Sequence, residues 1–184
     1  MLVSPSDHVI TDHERFRATV EAAIPTADKG QIVTFGIRPD RAETGYGWLE
    51  LPSKLSDNSS AVAQPLSSFV EKPEAEAADV LLRGGMHLWN AGIFLFSTSN
   101  ILTAFEQYAP QTLAEVRDAF GAAKADLGFT RLAAEPWARL EDISIDYAVM
   151  EHAPNLSVMP YGGYWSDLGD WQAIWREGEA DGFG

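Results

Sequence analysis

The spacing of apolar residues changes several times along the chain, and each change marks an element. Between residues 12 and 24, Phe16, Val20 and Ile24 share one helical face. This predicts a helix capped by Thr11 or Asp12 and ended by Pro25. Residues 31–37 are apolar and β-branched, a buried strand. Residues 46–51 alternate apolar and polar and predict a second strand, and residues 66–71 a third. Residues 74–83 predict a helix stopped by Gly84 and Gly85. The strongly apolar stretch 87–97 predicts a central strand. Helices follow over 97–108 and 111–123, split by Pro110, with Leu113, Val116 and Phe120 as the core stripe of the second. A short helix over 144–152 (capped by Ser144), a strand over 155–160 and a helix over 170–177 complete the pattern. Leu2 and Val3, running into Pro5, read as the end of a strand that begins upstream. Strands mixed with helices predict an α/β layer fold, and strand-to-strand steps without a helix predict a partly antiparallel sheet. Residues 52–65, rich in Ser, Asp, Asn and Ala, predict a surface loop.

Composition narrows the function. With 184 residues and 46% hydrophobic content, the chain can form one domain with a sizeable core. Thirteen Lys and Arg against 27 Asp and Glu give a net charge of -14. Such a surface repels phosphate backbones and anionic lipid, which argues against nucleic-acid and membrane partners. A small phosphorylated substrate remains possible where a few cations or a metal line a pocket. The absence of cysteine excludes disulfides and thiolate chemistry and fits a cytoplasmic protein. The four histidines show no zinc spacing, and no G-x-S-x-G, Walker loop or G-x-G-x-x-G occurs.

Five clusters can carry chemistry. Asp7, in Pro5-Ser6-Asp7-His8, follows a strand end, where open α/β sheets bind ligands. Gly45 and Gly47 flank Tyr46; they make either an ordinary tight turn or a close approach of ligand to backbone. In Phe69-Val70-Glu71-Lys72-Pro73, the proline biases Lys72 toward an extended conformation. Lys72 offers a charge to phosphate and Glu71 accepts from sugar hydroxyls, unless both are solvated strand-end residues. Asn90, inside an apolar strand, either bonds neighbouring backbone or pins a sugar hydroxyl. Trp165-Ser166-Asp167-Leu168-Gly169-Asp170-Trp171 holds two carboxylates. Asp170 is explained as a helix N-cap, whereas Asp167 with Asp7 could complete a magnesium site.

In this order the clusters resemble the bacterial mannose-1-phosphate guanylyltransferases of the long type. Gly36-Ile37-Arg38-Pro39, Trp89 to Phe94 and Ser144 to Glu151 extend the likeness over nearly the whole chain. The resemblance implies an incomplete Rossmann-like, GT-A-like nucleotidyltransferase mixed sheet with flanking helices. It also implies GTP and mannose 1-phosphate as substrates and Mg2+ as cofactor. Asp7 and Asp167 would hold the metal. Lys72 would meet the sugar phosphate, and Glu71, Asn90, Gly45 and Gly47 the hexose. The family's opening Gly-rich loop, G-G-x-G-x-R-L-W-P-L, is not in this sequence, nor is a C-terminal cupin domain. The expectation is therefore the C-terminal part of a nucleotidyltransferase domain, inactive on its own. The alternative is a non-catalytic sugar-phosphate-binding remnant, or one subunit of a split enzyme completed by an N-terminal chain or by a second copy.

Overall fold

The computed structural model describes residues 1–55, 62–169 and 171–178. The chain opens with β1 (Leu2–Val3), β2 (Val9–Ile10) and α1 (His13–Asp28). It continues through β3 (Ile32–Ile37), β4 (Trp48–Glu50), β5 (Gln64–Pro65), β6 (Ser68–Val70) and α2 (Ala75–Gly84). β7 (His87–Leu95) precedes α3 (Thr98–Tyr108) and α4 (Pro110–Gly121). The rest comprises β8 (Lys124–Asp126), β9 (Phe129–Arg131), α5 (Ala134–Trp137), a π-helical turn (Asp146–Met150), β10 (Leu156–Tyr161), β11 (Trp165–Ser166) and α6 (Trp171–Glu177).

β7 organises a seven-stranded sheet in the order β5-β10-β3-β7-β4-β6, with β1 also on β7. β3 and β10 pair in parallel, and the other pairs described are antiparallel. This is the expected mixed α/β sheet. Alternation along the strands builds two faces. Val33, Phe35, Ile93, Met159 and Tyr161 pack under Ala23 and Ala27 of α1 and Ala78 of α2. Ile32, Phe94 and Leu156 pack on the opposite side under Ile101 and Ala104 of α3 and Val149 and Met150 of the π-helical turn.

Several elements differ from expectation. α1 is capped by Asp12, whose side chain accepts from the Arg15 N–H, yet it runs past Pro25 to Asp28. Burial of Ala23 and Ala27 on the sheet outweighs the one helical hydrogen bond that a proline removes. The buried stripe therefore runs through Thr19, Ala23 and Ala27, and Ile24 is exposed. Pro110 does not lie in a break; it is the first residue of α4, where its missing N–H costs nothing. Ala119, not Phe120, completes the buried face of α4, and Phe120 is 67% exposed. Gln64 and Pro65 leave the expected surface loop to pair with β10, while residues 56–61 lie outside the described set. The position of Asp170, expected as an N-cap, also lies outside it.

Gly36 sits where β3 passes between β7 and β10. A Cβ there would fall 2.6 Å from both Leu88 Cδ1 and Val158 Cγ2. Gly36→Ala is expected to destabilise the fold by about 1–3 kcal/mol through overpacking. Thermal unfolding checks this: an unchanged midpoint would mean the two side chains move aside freely.

Candidate active site

The register of β4, β6 and β7 brings three separate motifs to one place. Trp48 lies opposite both Val70 and Trp89, so the adjoining residues Gly47, Glu71 and Asn90 are neighbours. The Asn90 N–H donates to the Gly47 carbonyl at 2.7 Å. A Cβ on Gly47 would lie 2.6 Å from Glu71 Oε2 and 3.3 Å from Asn90 Cβ. Gly47 thus makes room for the Glu71 carboxylate. Gly45 is placed differently, its N–H donating to Glu43 Oε1 at 3.0 Å in the preceding turn.

The Glu71 side chain is 9% exposed and that of Lys72 60%, with Lys72 Nζ 3.8 Å from Glu71 Oε1. Burial, then the charge of Asp146, pushes the Glu71 carboxyl above its ordinary range, against the pull of Lys72. Lys72 is not extended as its proline neighbour would favour. Its φ is 44°, in the left-handed region. The chain reverses sharply here between β6 and α2, with Glu71 turned inward and Lys72 outward, and this turn overrides the local preference.

Asn90 is buried and engages three partners. Its Oδ1 accepts from the Thr34 hydroxyl at 2.7 Å and from the Gly92 N–H at 3.2 Å. Its Nδ2 donates to Asp146 Oδ1 at 3.1 Å. Asp146 opens the π-helical turn, near Ser144, whose Oγ accepts from the Tyr147 N–H at 3.4 Å. Burial pushes the Asp146 carboxyl upward, and the bond from Asn90 and the charge of Lys72 oppose it.

Of the two expected metal ligands, Asp167 is brought close to His8, the residue that follows Asp7 in the chain. β2 pairs with β11, Ile10 opposite Trp165 and Val9 opposite Ser166, so His8 and Asp167 emerge at the same end. The His8 imidazole feels the charges of both Asp167 and Asp7, although burial lowers its pKa overall. Its Nδ1 accepts from Trp165 Nε1 at 3.2 Å, which fixes the proton of the neutral ring on Nε2. Asp167 Oδ1 accepts from the Tyr46 hydroxyl at 2.7 Å. Burial and this bond push the phenol upward, so Tyr46 stays a donor. Arg41 stacks on Trp89, its guanidinium carbon 4.6 Å from the ring centroid, and pairs with Glu43 at 3.1 Å. Arg41, Tyr46, Trp89 and Trp165 line a cavity of about 280 Å³. The Tyr46–Gly47 dipeptide joins the two clusters: Tyr46 touches Asp167 and Gly47 touches Glu71 and Asn90.

A larger described cavity, of about 860 Å³, lies between α4, the β8–β9 hairpin and α5. Three of its arginines, Arg117, Arg131 and Arg139, are already paired with acidic side chains, and none of the expected site residues lines it. Sequence reading did not single out Thr34, Arg41, Tyr46 or Asp146. Asp146 stood inside a quoted motif, and a buried acid at a helix start was its one available signal.

Residues 1–182 match the family model described as nucleotidyl transferase, and the chain belongs to that family. It is 40% identical over 176 residues to mannose-1-phosphate guanylyltransferase of Escherichia coli (strain K12), covering 96% of this chain and 37% of that protein. With mannose-1-phosphate guanylyltransferase of Sinorhizobium fredii (strain NBRC 101917 / NGR234) it shares 42% identity over 184 residues, 99% of this chain and 35% of that one. The crystal structure of mannose-1-phosphate geranyltransferase from Thermus thermophilus superposes with a TM-score of 0.79 and 31% identity, over 98% of this chain and 50% of that one. The chain therefore spans little more than a third of the length of these curated relatives. No helix among the described residues is long and apolar enough to cross a membrane.

Glu71 gives a pH test. Above its ordinary pKa near 4.5 the folded state holds a proton that the unfolded chain has released, so stability falls as pH rises through this window. Glu71→Gln is expected to flatten that fall and to raise the midpoint at neutral pH by about 2–4 °C, equivalent to ~1 kcal/mol in a chain of this size. Thermal melts across pH 4–8 check it; a lower midpoint for the variant at pH 7 would show that the Lys72 pair outweighs burial.

Proposed function

We propose that these 184 residues form the sugar-phosphate and metal side of a mannose-1-phosphate guanylyltransferase site. In that reaction a phosphate oxygen of mannose 1-phosphate attacks the α-phosphate of GTP, giving GDP-mannose and pyrophosphate. One observation carries the reading: Gly47, Glu71 and Asn90 meet across three adjacent strands, beside Lys72 and one residue from the Tyr46 contact to Asp167. A buried acceptor, a buried amide and an exposed cation suit a hexose bearing a phosphate. Lys72 holds the phosphate, and Glu71 and Asn90 hold hydroxyls. Gly45 shapes the turn that carries Tyr46 and Gly47.

Asp7 and Asp167 fit a magnesium ion by their chemistry. Two carboxylates near one another are what such an ion takes from protein, with water and substrate phosphate completing the octahedron. Among the described residues no group of three or more His, Asp or Glu is arranged to hold a metal. When bound, Mg2+ would neutralise the negative charges of the two reactants as they approach. Tyr46 orients Asp167 through its hydroxyl, and Trp165 donates to Nδ1 of His8 nearby.

The outer edge of β1 favours an addition to this reading. Met1, Leu2 and Val3 are 58%, 41% and 41% exposed, and among the described residues β1 pairs only with β7. Such an edge takes another strand. The share of the relatives that this chain covers is consistent with a nucleotide side supplied by polypeptide outside these 184 residues, in the same protein or a partner chain.

Calorimetric titration of the purified chain with mannose 1-phosphate, with and without Mg2+, tests the site. Binding is expected, weakened about tenfold by Lys72→Ala and made insensitive to Mg2+ by Asp167→Ala. Failure of the chain to bind any sugar phosphate would sink the proposal. With GTP added, no pyrophosphate release is expected from this chain alone; release abolished by Asp167→Ala would overturn the assignment of the nucleotide side elsewhere. For the β1 edge, sedimentation should show concentration-dependent self-association that Val3→Lys suppresses, and a strictly monomeric wild type would count against it.

A further inference from the structure

We propose that Asp146 is a positioning residue of the sugar site: it sets the orientation of the Asn90 amide, so that N–H rather than C=O is offered to a hexose oxygen beside Glu71. The proposal rests on the sugar-phosphate reading above and deepens it by assigning the donor–acceptor pattern of the hexose subsite.

An amide side chain has a donor end and an acceptor end, and its neighbours decide which way round it lies. At Asn90 they leave no choice. The Gly92 N–H can only donate, so the amide atom 3.2 Å from it must be the oxygen. The Thr34 hydroxyl donates to the same oxygen at 2.7 Å. An ionised Asp146 can only accept, so the atom 3.1 Å from its Oδ1 must be the nitrogen. In the flipped amide, oxygen would face carboxylate and N–H would face N–H. The Asn90 oxygen is thus spent within the protein on two bonds, while the nitrogen gives one hydrogen to Asp146 and keeps a second.

The frame around Asp146 is rigid. It begins the π-helical turn, a rare geometry that recurs at functional sites. Ala148, Val149 and Met150 of the same turn are buried in the core beneath α3. Asp146 is also close enough to Glu71 and Lys72 for their charges to interact. The subsite therefore pairs an acceptor-only carboxylate, Glu71, with a donor-only amide edge, Asn90. That pattern suits two neighbouring hydroxyls of a hexose 1-phosphate, one donating to Glu71 and the other accepting from Asn90.

Asp146→Asn keeps the shape and removes the charge; Asp146→Ala removes the partner. Two measurements on the full chain separate this role from simple support of the fold. The first is the Asn90 side-chain amide in nitrogen–proton NMR spectra without ligand. One of its protons should be protected from exchange in the wild type, keep that protection in Asp146→Asn, whose amide oxygen still accepts, and lose it in Asp146→Ala. The second is affinity for mannose 1-phosphate and for its 2-, 3- and 4-deoxy analogues. The wild type should disfavour at least one analogue. Asp146→Ala should weaken mannose 1-phosphate binding about tenfold and leave binding of that analogue unchanged, so that the preference collapses, while Asp146→Asn should retain it. Inorganic phosphate binding, a property of Lys72, should not weaken, since only a nearby negative charge is lost. A folded Asp146→Ala chain with an undiminished preference and a protected Asn90 amide would overturn the proposal and leave the sugar-phosphate reading standing. A wild type that binds no sugar phosphate would overturn both.

Discussion

Between Thr34 and Gly36, β3 advances two residues, while its partner β7 advances four, from Phe94 back to Asn90. The surplus is taken up around Gly92, whose φ of 65° suits a residue without a Cβ. This bulge divides β7 into two working lengths. Before it, residues 87–89 pair with β4; beyond it, Phe94 and Leu95 pair with β1. The segment leading to Asp7 and the one carrying Tyr46 and Gly47 are thereby brought to the same strand. The bulge also lets the Gly92 N–H turn back to the Asn90 side chain. Without the surplus residues, neither the join between the two halves of the site nor the fixed amide would follow.

The two halves are held by different physics. Around Asp167 the support is aromatic: Trp165 meets His8 and Tyr46 edge to face, each at a centroid distance of 5.3 Å, and Tyr46 meets Trp89 in the same manner. Around Asn90 the support is polar and buried, with two carboxyls kept in a poorly solvated place. Burial lifts the pKa of both, which is a cost to folding of the kind that binding sites commonly carry. Lys72 is a cation whose charge acts on both of these carboxyls and opposes that lift.

What could be read from the sequence was what repeats over many residues or is spelled by a motif. The long strands and helices were legible because their apolar spacing persists for several turns or pleats. Glu71, Lys72, Asn90, Asp7 and Asp167 could be named as candidates because polar residues stand inside or beside apolar runs there. Pairs such as β2 with β11 were not, since two residues carry no period. The β8–β9 hairpin was hidden for another reason. Its turn, Leu127-Gly128, has positive φ at both positions, a geometry usually announced by Asn or Asp. A leucine that is 95% exposed gave no such announcement. The π-helical turn and the bulge depend on partners distant in sequence, and so the roles of Asp146, Thr34 and Tyr46 could emerge only from the fold.

Lys72 holds a left-handed backbone that a glycine would adopt without strain, at a cost of about 1–2 kcal/mol for a residue with a side chain. The same backbone turn is what sends its ammonium outward while the preceding carboxylate points in. Comfort of the main chain and charge at the subsite are therefore opposed at a single position. A library screened only for heat resistance would drift there toward glycine or asparagine and would shed the phosphate contact proposed for Lys72 without any sign of damage to the fold. On the sugar-phosphate proposal, a lysine kept at this turn serves the ligand at the scaffold's expense.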